Sequence, residues 1–306
     1  MVKLDEAKKM SAPAGEASKV KSRYAYVGMV FLQSVLYGIL DPVTKLALRA
    51  MPVYSFLTLR FTLAAVIMLL LWGKQIVREL KRAPVAAYIT PGLCMALVVI
   101  LTNLALQHTA ATNVAFLRSL SALFAPALVC VVLKKRYTPK DLALQAFVLL
   151  GLYLLCAKGG LSGFGMGEAL ALLAALTAAG ALVFGQRALG AVSAFTLTFV
   201  QSAVAIAICG AMGALTGSFE SLAPPGLPVL AALGYAAAFG TVAGCLLQNI
   251  ALGHISAKLV GMTQSLYPII VAAVALVLLG EQLSPAGIAG AAIIAACVFL
   301  ESFLKE

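Results

Sequence analysis

Charge is scarce in this sequence. Only 11% of its 306 residues are Asp, Glu, Lys or Arg, while 62% are hydrophobic. A soluble domain carries about 25% charged and roughly half apolar residues. A chain of this length has no single core large enough to hide that much apolar surface from water, so lipid is its expected solvent. Histidine is nearly absent: two residues are too few to hold a zinc site of the usual kind on their own. The six cysteines, Cys94, Cys130, Cys156, Cys209, Cys245 and Cys297, show no CxxC spacing and each sits in an apolar run. They read as small core hydrophobes and not as a disulfide or metal framework. The sequence contains no HExxH, no GxSxG, no GxxxxGK[ST] and no pair of intramembrane acids, which argues against a membrane-embedded enzyme and against direct ATP drive. No cofactor is expected. The first apolar run, Tyr24 to Leu46, is too long for a cleavable signal and lacks an A-x-A site, so it should remain as a helix.

What is present is a succession of apolar runs. A helix crossing the hydrocarbon needs about 20 mostly apolar residues. The runs predict about ten spans: Tyr24–Leu46, Val53–Trp72, Val85–Ala105, Ala111–Leu133, Leu142–Ala157, Gly167–Leu189, Ala194–Leu215, Pro228–Leu252, Lys258–Leu279 and Ala286–Leu304. Residues before Lys19 are small, polar and charged and read as a disordered tail, with residues 1–23 forming a basic cytosolic segment. The linkers leave no room for a soluble domain. The net charge of +11 sits mainly between apolar runs, which speaks against a nucleic-acid partner and for the lipid bilayer. With both termini in the cytosol, only Lys45, Arg49 and Lys158 fall outside, and Arg60 and Arg118 fall within spans. Every other Lys and Arg is then cytosolic, as positive-inside orientation requires.

The two halves resemble each other. Asn103–Pro139 lies over Asn249–Pro285, matching Asn103 with Asn249, His108 with His254, Ser119-Leu120 with Ser265-Leu266 and Pro139 with Pro285. A weaker match joins Gly38 and Lys45 to Gly180 and Arg187. Each half, residues 24–158 and 159–306, then has five helices. Five is odd, so the second half starts on the other side of the bilayer and the repeats are inverted, the architecture that underlies alternating access. Lys134-Lys135-Arg136, expected in the cytosol, has Gly280-Glu281-Gln282 as its outside counterpart.

The stretch from Gly240 to Leu300 carries Ala251-Leu252, Ser256-Ala257, a mid-span Pro268, Gly280-Glu281 and a Gly/Ala-rich Gly287–Gly290. In this it is similar to the second repeat of EamA-type members of the drug/metabolite transporter superfamily. The resemblance covers about residues 24–304. It implies an all-α membrane protein of ten helices in two inverted repeats, carriage of small metabolites including amino acids, and a bacterial inner membrane. The first half departs from the pattern, with Lys135 where Glu is common and Ala122 opposite Pro268, although Pro126 lies one turn on.

Ionisable residues inside spans are expensive, at about 2.5–3.5 kcal/mol near mid-helix, so each needs a partner or a wet cavity. Asp41, Arg60 and Arg118 should sit at similar depth. The expectation is that Asp41 pairs with one arginine and leaves the other for an anionic group; a purely structural ion cluster is the alternative. Gln264 is the repeat counterpart of Arg118, which makes the site electrically asymmetric. Gln107 and Gln248 offer amides to a substrate. Asn103 and Asn249 read as interhelical hydrogen bonders, and His108 and His254 as helix C-terminal groups. Thr263, Gln264, Ser265 and Tyr267 form a polar patch before Pro268, whose ring frees a carbonyl one turn earlier. Tyr37, Gln33 and Tyr235 are candidate walls. Glu168 and Glu281 read as helix-capping carboxylates, and Asp41 as the best proton-coupling carboxylate. Gly240 and Gly244 give a GxxxG spacing. The expected function is secondary transport of a small organic solute, an amino acid or similar amphiphile. A non-transporting membrane scaffold or sensor is the alternative, and the sequence carries no marker of an oligomeric state.

Overall fold

Without water in the hydrocarbon, backbone groups must pair within their own segment, which favours helices. Helices are what the apolar runs form in the structure, a computed structural model that describes residues 14–122, 124–125, 127–128, 139–156, 165–220, 226–280 and 285–303. No strand occurs among the described residues. The helices are α1 (Ala14–Ala47), α2 (Val53–Leu80), α3 (Val85–His108), α4 (Ala111–Ser119), α5 (Pro139–Cys156), α6 (Met166–Ala188), α7 (Ala194–Leu215), α8 (Leu227–Tyr235), α9 (Gly244–Leu252), α10 (Ala257–Gln264), α11 (Tyr267–Leu279) and α12 (Pro285–Phe303). A π-helical segment, Ala236–Ala243, joins α8 to α9. Among the described residues, 7 stretches are long and apolar enough to cross a membrane. Leu70, Leu215 and Val277 stand about 80% exposed, while Gln33, Asp41, Arg60, Asn103 and Gln248 are buried. Apolar side chains outside and polar ones inside mark a multi-pass membrane protein.

Several elements differ from expectation. Residues Ala14–Ser18, expected in the tail, already belong to α1. The second span does not stop at Trp72. It passes through a non-helical Trp72 (φ −130°, ψ 16°) and runs on to Leu80, with the indole stacked on Phe195 at 4.8 Å. The eighth span is not a plain α-helix, because the π segment interrupts it. The ninth is two helices divided at Ser265–Leu266, directly before Pro268. The fourth shows the same division at Leu120, where α4 ends in a tight turn closed by Leu120 N–H to Leu117 O at 3.1 Å. Lys134, Lys135, Arg136, Pro126, Cys130 and Glu281 lie outside the described residues.

The helices associate in an orderly way. The α2 helix packs on α7, α5 on α12, α3 on α6, α1 on both α9 and α11, and α4 on both α6 and α11. Small residues permit the closest approaches. A Cβ on Gly38 would meet Ile270 at 2.4 Å, and one on Gly180 would meet the Cys94 sulfur at 3.1 Å. The GxxxG pair lies against α1: a Cβ on Gly240 would meet Leu40 at 2.8 Å, and one on Gly244 would meet the Tyr37 ring at 2.6 Å. Cys209, Cys245 and Cys297 are buried free thiols, and Cys94 is a half-buried one.

Hydrogen bonds tie the helix ends. Lys45 Nζ donates to Thr109 O at 2.9 Å, and Thr109 Oγ1 donates to Glu168 at 2.5 Å. Glu168 also accepts from the Gly165 N–H at 3.1 Å, so it does cap the start of α6, where a carboxylate meets the positive end of the helix dipole. At the corresponding turn of the second half, Gln186 donates to Ile255 O at 3.2 Å and accepts from Ala257 N–H at 3.3 Å. Glu79 accepts from Ser193 N–H at 2.8 Å, holding the end of α2 on the start of α7.

Candidate functional site

The broken helices converge on a cavity of about 70 Å³. That is the liquid volume of about two waters. Gln33, Tyr37 and Asp41 reach it from α1, Arg60 from α2, Thr102 and Asn103 from α3, Arg118 from α4, Gln248 from α9, Gln264 from α10 and Tyr267 from α11. Met95, Val98, Val99 and Leu182 supply an apolar wall.

Asp41 lies one residue before Pro42 in α1 and is 5% exposed. The Arg118 guanidinium stands 3.9 Å from its carboxylate, and the Tyr267 hydroxyl donates to the same oxygen. Arg118 is also stacked over the Tyr267 ring at 4.1 Å and lies 5.8 Å from that of Tyr37, a cation–π arrangement that favours a desolvated guanidinium. Its place in the last turn of α4 adds the negative end of a helix dipole. The Tyr37 hydroxyl is in turn 3.2 Å from the Cys245 sulfur. Asp41, expected to pair with one arginine, pairs with Arg118.

Arg60 is the other arginine. It is 4% exposed, and its Nε donates to Thr241 Oγ1 at 2.8 Å. Thr241 sits in the π segment and donates its own hydroxyl five residues back, to Ala236 O at 3.0 Å. The wide π turn thus presents a hydroxyl oxygen to the arginine. Phe61 lies under the guanidinium at 5.2 Å. Among the described residues no carboxylate comes within ion-pair distance of Arg60.

The far side of the cavity is an amide cluster. Gln264 donates to Gln248 at 2.8 Å and to Gln33 at 3.1 Å. Asn103 donates to Val99 O at 2.8 Å within its own helix, and its Oδ1 has no partner among the described residues, nor does Thr102 Oγ1.

The sequence candidates divide. Asp41, Arg60, Arg118, Tyr37, Gln248, Gln264 and Tyr267 meet at the cavity. Gln107 does not: it lies one full helical turn beyond Asn103, at the exposed end of α3. Thr263 is buried and bonds Leu259 O at 2.8 Å within α10, and Ser265 is buried at the break; neither lines the cavity. Tyr235 bonds Leu36 O at 3.1 Å instead. His254 bonds Ile250 O at 2.8 Å and stacks on Tyr26 at 4.2 Å. The matched asparagines part company. Asn249 ties α9 to Thr198 and Gln201 of α7, at 2.9 and 3.0 Å, whereas Asn103 faces the cavity. Sequence reasoning missed Thr102 and Thr241, a lone threonine in each case, whose only signal is a hydroxyl inside an apolar run.

Set beside known proteins, the chain matches the sequence pattern described as the EamA-like transporter family over residues 25–157 and again over 165–303. The chain belongs to the EamA-like transporter family. A relative of this EamA protein, described as an uncharacterized transporter, occurs in Archaeoglobus fulgidus and is 29% identical over 162 residues. The match covers 53% of this chain and 49% of the relative, so the chain spans about half the length of that curated relative. A crystal structure of another protein superposes with a TM-score of 0.71 over 91% of this EamA chain and 96% of its own, at 18% identity. That likeness shows a shared fold.

Proposed function

We propose that this protein is a secondary transporter that moves a small organic metabolite, an amino acid or similar amphiphile, by alternating access. The observation that carries the reading is the cavity: it is built from both halves of the chain and holds Asp41, Arg60 and Arg118 in an otherwise apolar interior. One charged group more than a structural pair needs belongs where a charged solute is to be received. In this reading residues 24–158 and 159–306 are inverted five-helix repeats, ten spans in all, with both termini in the cytosol of a bacterial inner membrane.

The packing supports inversion. Second helices pack together, as do fifth helices, while the first of each half packs on the third of the other. Breaks fall at the matched positions Leu120 and Leu266, and the turns holding Thr109 and Ile255 are each clamped by a side chain from the first helix of one half. Such broken helices meeting at a shared site are the working parts of rocking carriers.

Purified protein in proteoliposomes, offered a panel of radiolabelled amino acids and carboxylates with and without a proton gradient, is expected to show saturable uptake of at least one solute. No uptake across a broad panel would leave the scaffold or sensor reading in its place.

A further inference from the structure

Among the described residues, the cavity lining is one negative charge short of neutral. Its charged lining groups are Asp41, Arg60 and Arg118, one negative and two positive. Asp41 is already engaged by Arg118 and by the Tyr267 hydroxyl. Arg60, 96% withdrawn from solvent, has only the neutral Thr241 oxygen as a hydrogen-bond partner among the described residues. A buried guanidinium without a counter-ion is costly. Since Thr241 occupies Nε, the two terminal NH₂ groups remain, and that pair of donors matches the two oxygens of one carboxylate.

A second set of unmet groups describes the rest of the ligand. Thr102 Oγ1 and Asn103 Oδ1 are unpartnered among the described residues, are 3% and 4% exposed, and belong to residues that line the same cavity. The Asn103 amide nitrogen is committed to Val99 O, so its free oxygen can only accept. It calls for a hydrogen-bond donor. An ammonium fits badly, because the single lining carboxylate is taken and a zwitterion leaves the excess positive charge in place. An uncharged hydroxyl or amide N–H satisfies both demands. The space is small, about 70 Å³, which favours a short solute over a long one.

We propose that the cavity selects a small monoanion: a short carboxylic acid bearing one uncharged hydrogen-bond donor, of the hydroxy-acid kind, with its carboxylate on Arg60 and its donor toward Asn103 and Thr102. The purpose of this site rests on the carrier reading, of whose two cargo classes it keeps the similar amphiphile and sets aside the amino acid; its chemistry rests on the cavity alone.

Binding to the full chain in lipid nanodiscs, measured by calorimetry with lactate, propionate, lactamide and L-alanine, tests it. Lactate should bind at least tenfold more tightly than lactamide, which lacks the charge, and than L-alanine, which carries an ammonium. It should bind severalfold more tightly than propionate, which lacks the hydroxyl. Arg60→Gln should reduce lactate to the lactamide level, with Arg60→Lys intermediate, and Asn103→Leu should erase the advantage over propionate. The wild-type series decides even where a variant fails to fold. L-alanine equal to lactate, or lactate that does not bind, overturns the assignment. Uptake of some other solute without lactate binding removes this inference and leaves the carrier. Lactate binding without translocation of any solute removes the carrier and leaves the site.

Discussion

Asp41 holds together three elements through side chains alone. Its carboxylate meets Arg118 from α4 and the Tyr267 hydroxyl from α11, and Arg118 lies over the Tyr267 ring. Groups joined this way lose energy jointly, so their substitutions should not add. Asp41→Asn and Arg118→Gln are each expected to lower thermal stability in detergent, and the double variant to be less damaged than the two combined, with a coupling of about 0.5–3 kcal/mol. Additive losses would mean that the 3.9 Å pair is not felt. Arg60, whose direct partner is Thr241 and which meets Asp41 only through space, should couple to it more weakly than Arg118 does.

At the scale of single elements, the two helix breaks border the cavity and the π segment stands behind Arg60. Prolines do not account for all of them: α10 and α11 divide before Pro268, yet α4 ends at Leu120 with Ala122 in the matching position. The shared feature is a polar last turn, with Arg118 in one case and Gln264 in the other, whose side chains find partners across the cavity. The π segment Ala236–Ala243 adds one residue to a turn and so brings Thr241 to Arg60, a use to which π turns are often put at functional sites. Gly244 directly after it allows the Tyr37 ring to lie against the backbone. Gly244→Ala would drive a methyl into that ring, at a cost of about 1–3 kcal/mol, read as a lowered unfolding midpoint. Gly210→Ala, where nothing lies within 4 Å of the added carbon, serves as the control and should be neutral or better.

For the molecule as a whole, the two clamped turns are the informative places. Thr109 is held by Lys45 and Glu168, Ile255 by Gln186. Inverted repeats put these turns on opposite membrane faces. Single cysteines placed at His108 and His254, both exposed, should therefore react with an impermeant thiol reagent from opposite sides, in a background without the native cysteines. Labelling of both from one side would remove the inversion, and with it the mechanical basis for alternating access.

Class and membrane setting were legible in the sequence because they depend on sums: apolar content and run length act through transfer free energy, which needs no partner. The same arithmetic marked Asp41, Arg60 and Arg118, since a charge inside an apolar run is visible one residue at a time. Family membership was legible too, in the run of Ala251-Leu252, Ser256-Ala257, Pro268 and Gly280-Glu281 along the second half. Which arginine pairs with Asp41, that Asn103 faces the cavity while its counterpart Asn249 ties two helices, and that Gln107, Thr263 and Ser265 stay out of the cavity were decided by tertiary structure alone. Those outcomes turn on helix rotation and on breaks of a single turn. Hydrogen-bond geometry is lost within about an ångström, and no one-dimensional pattern carries position that finely.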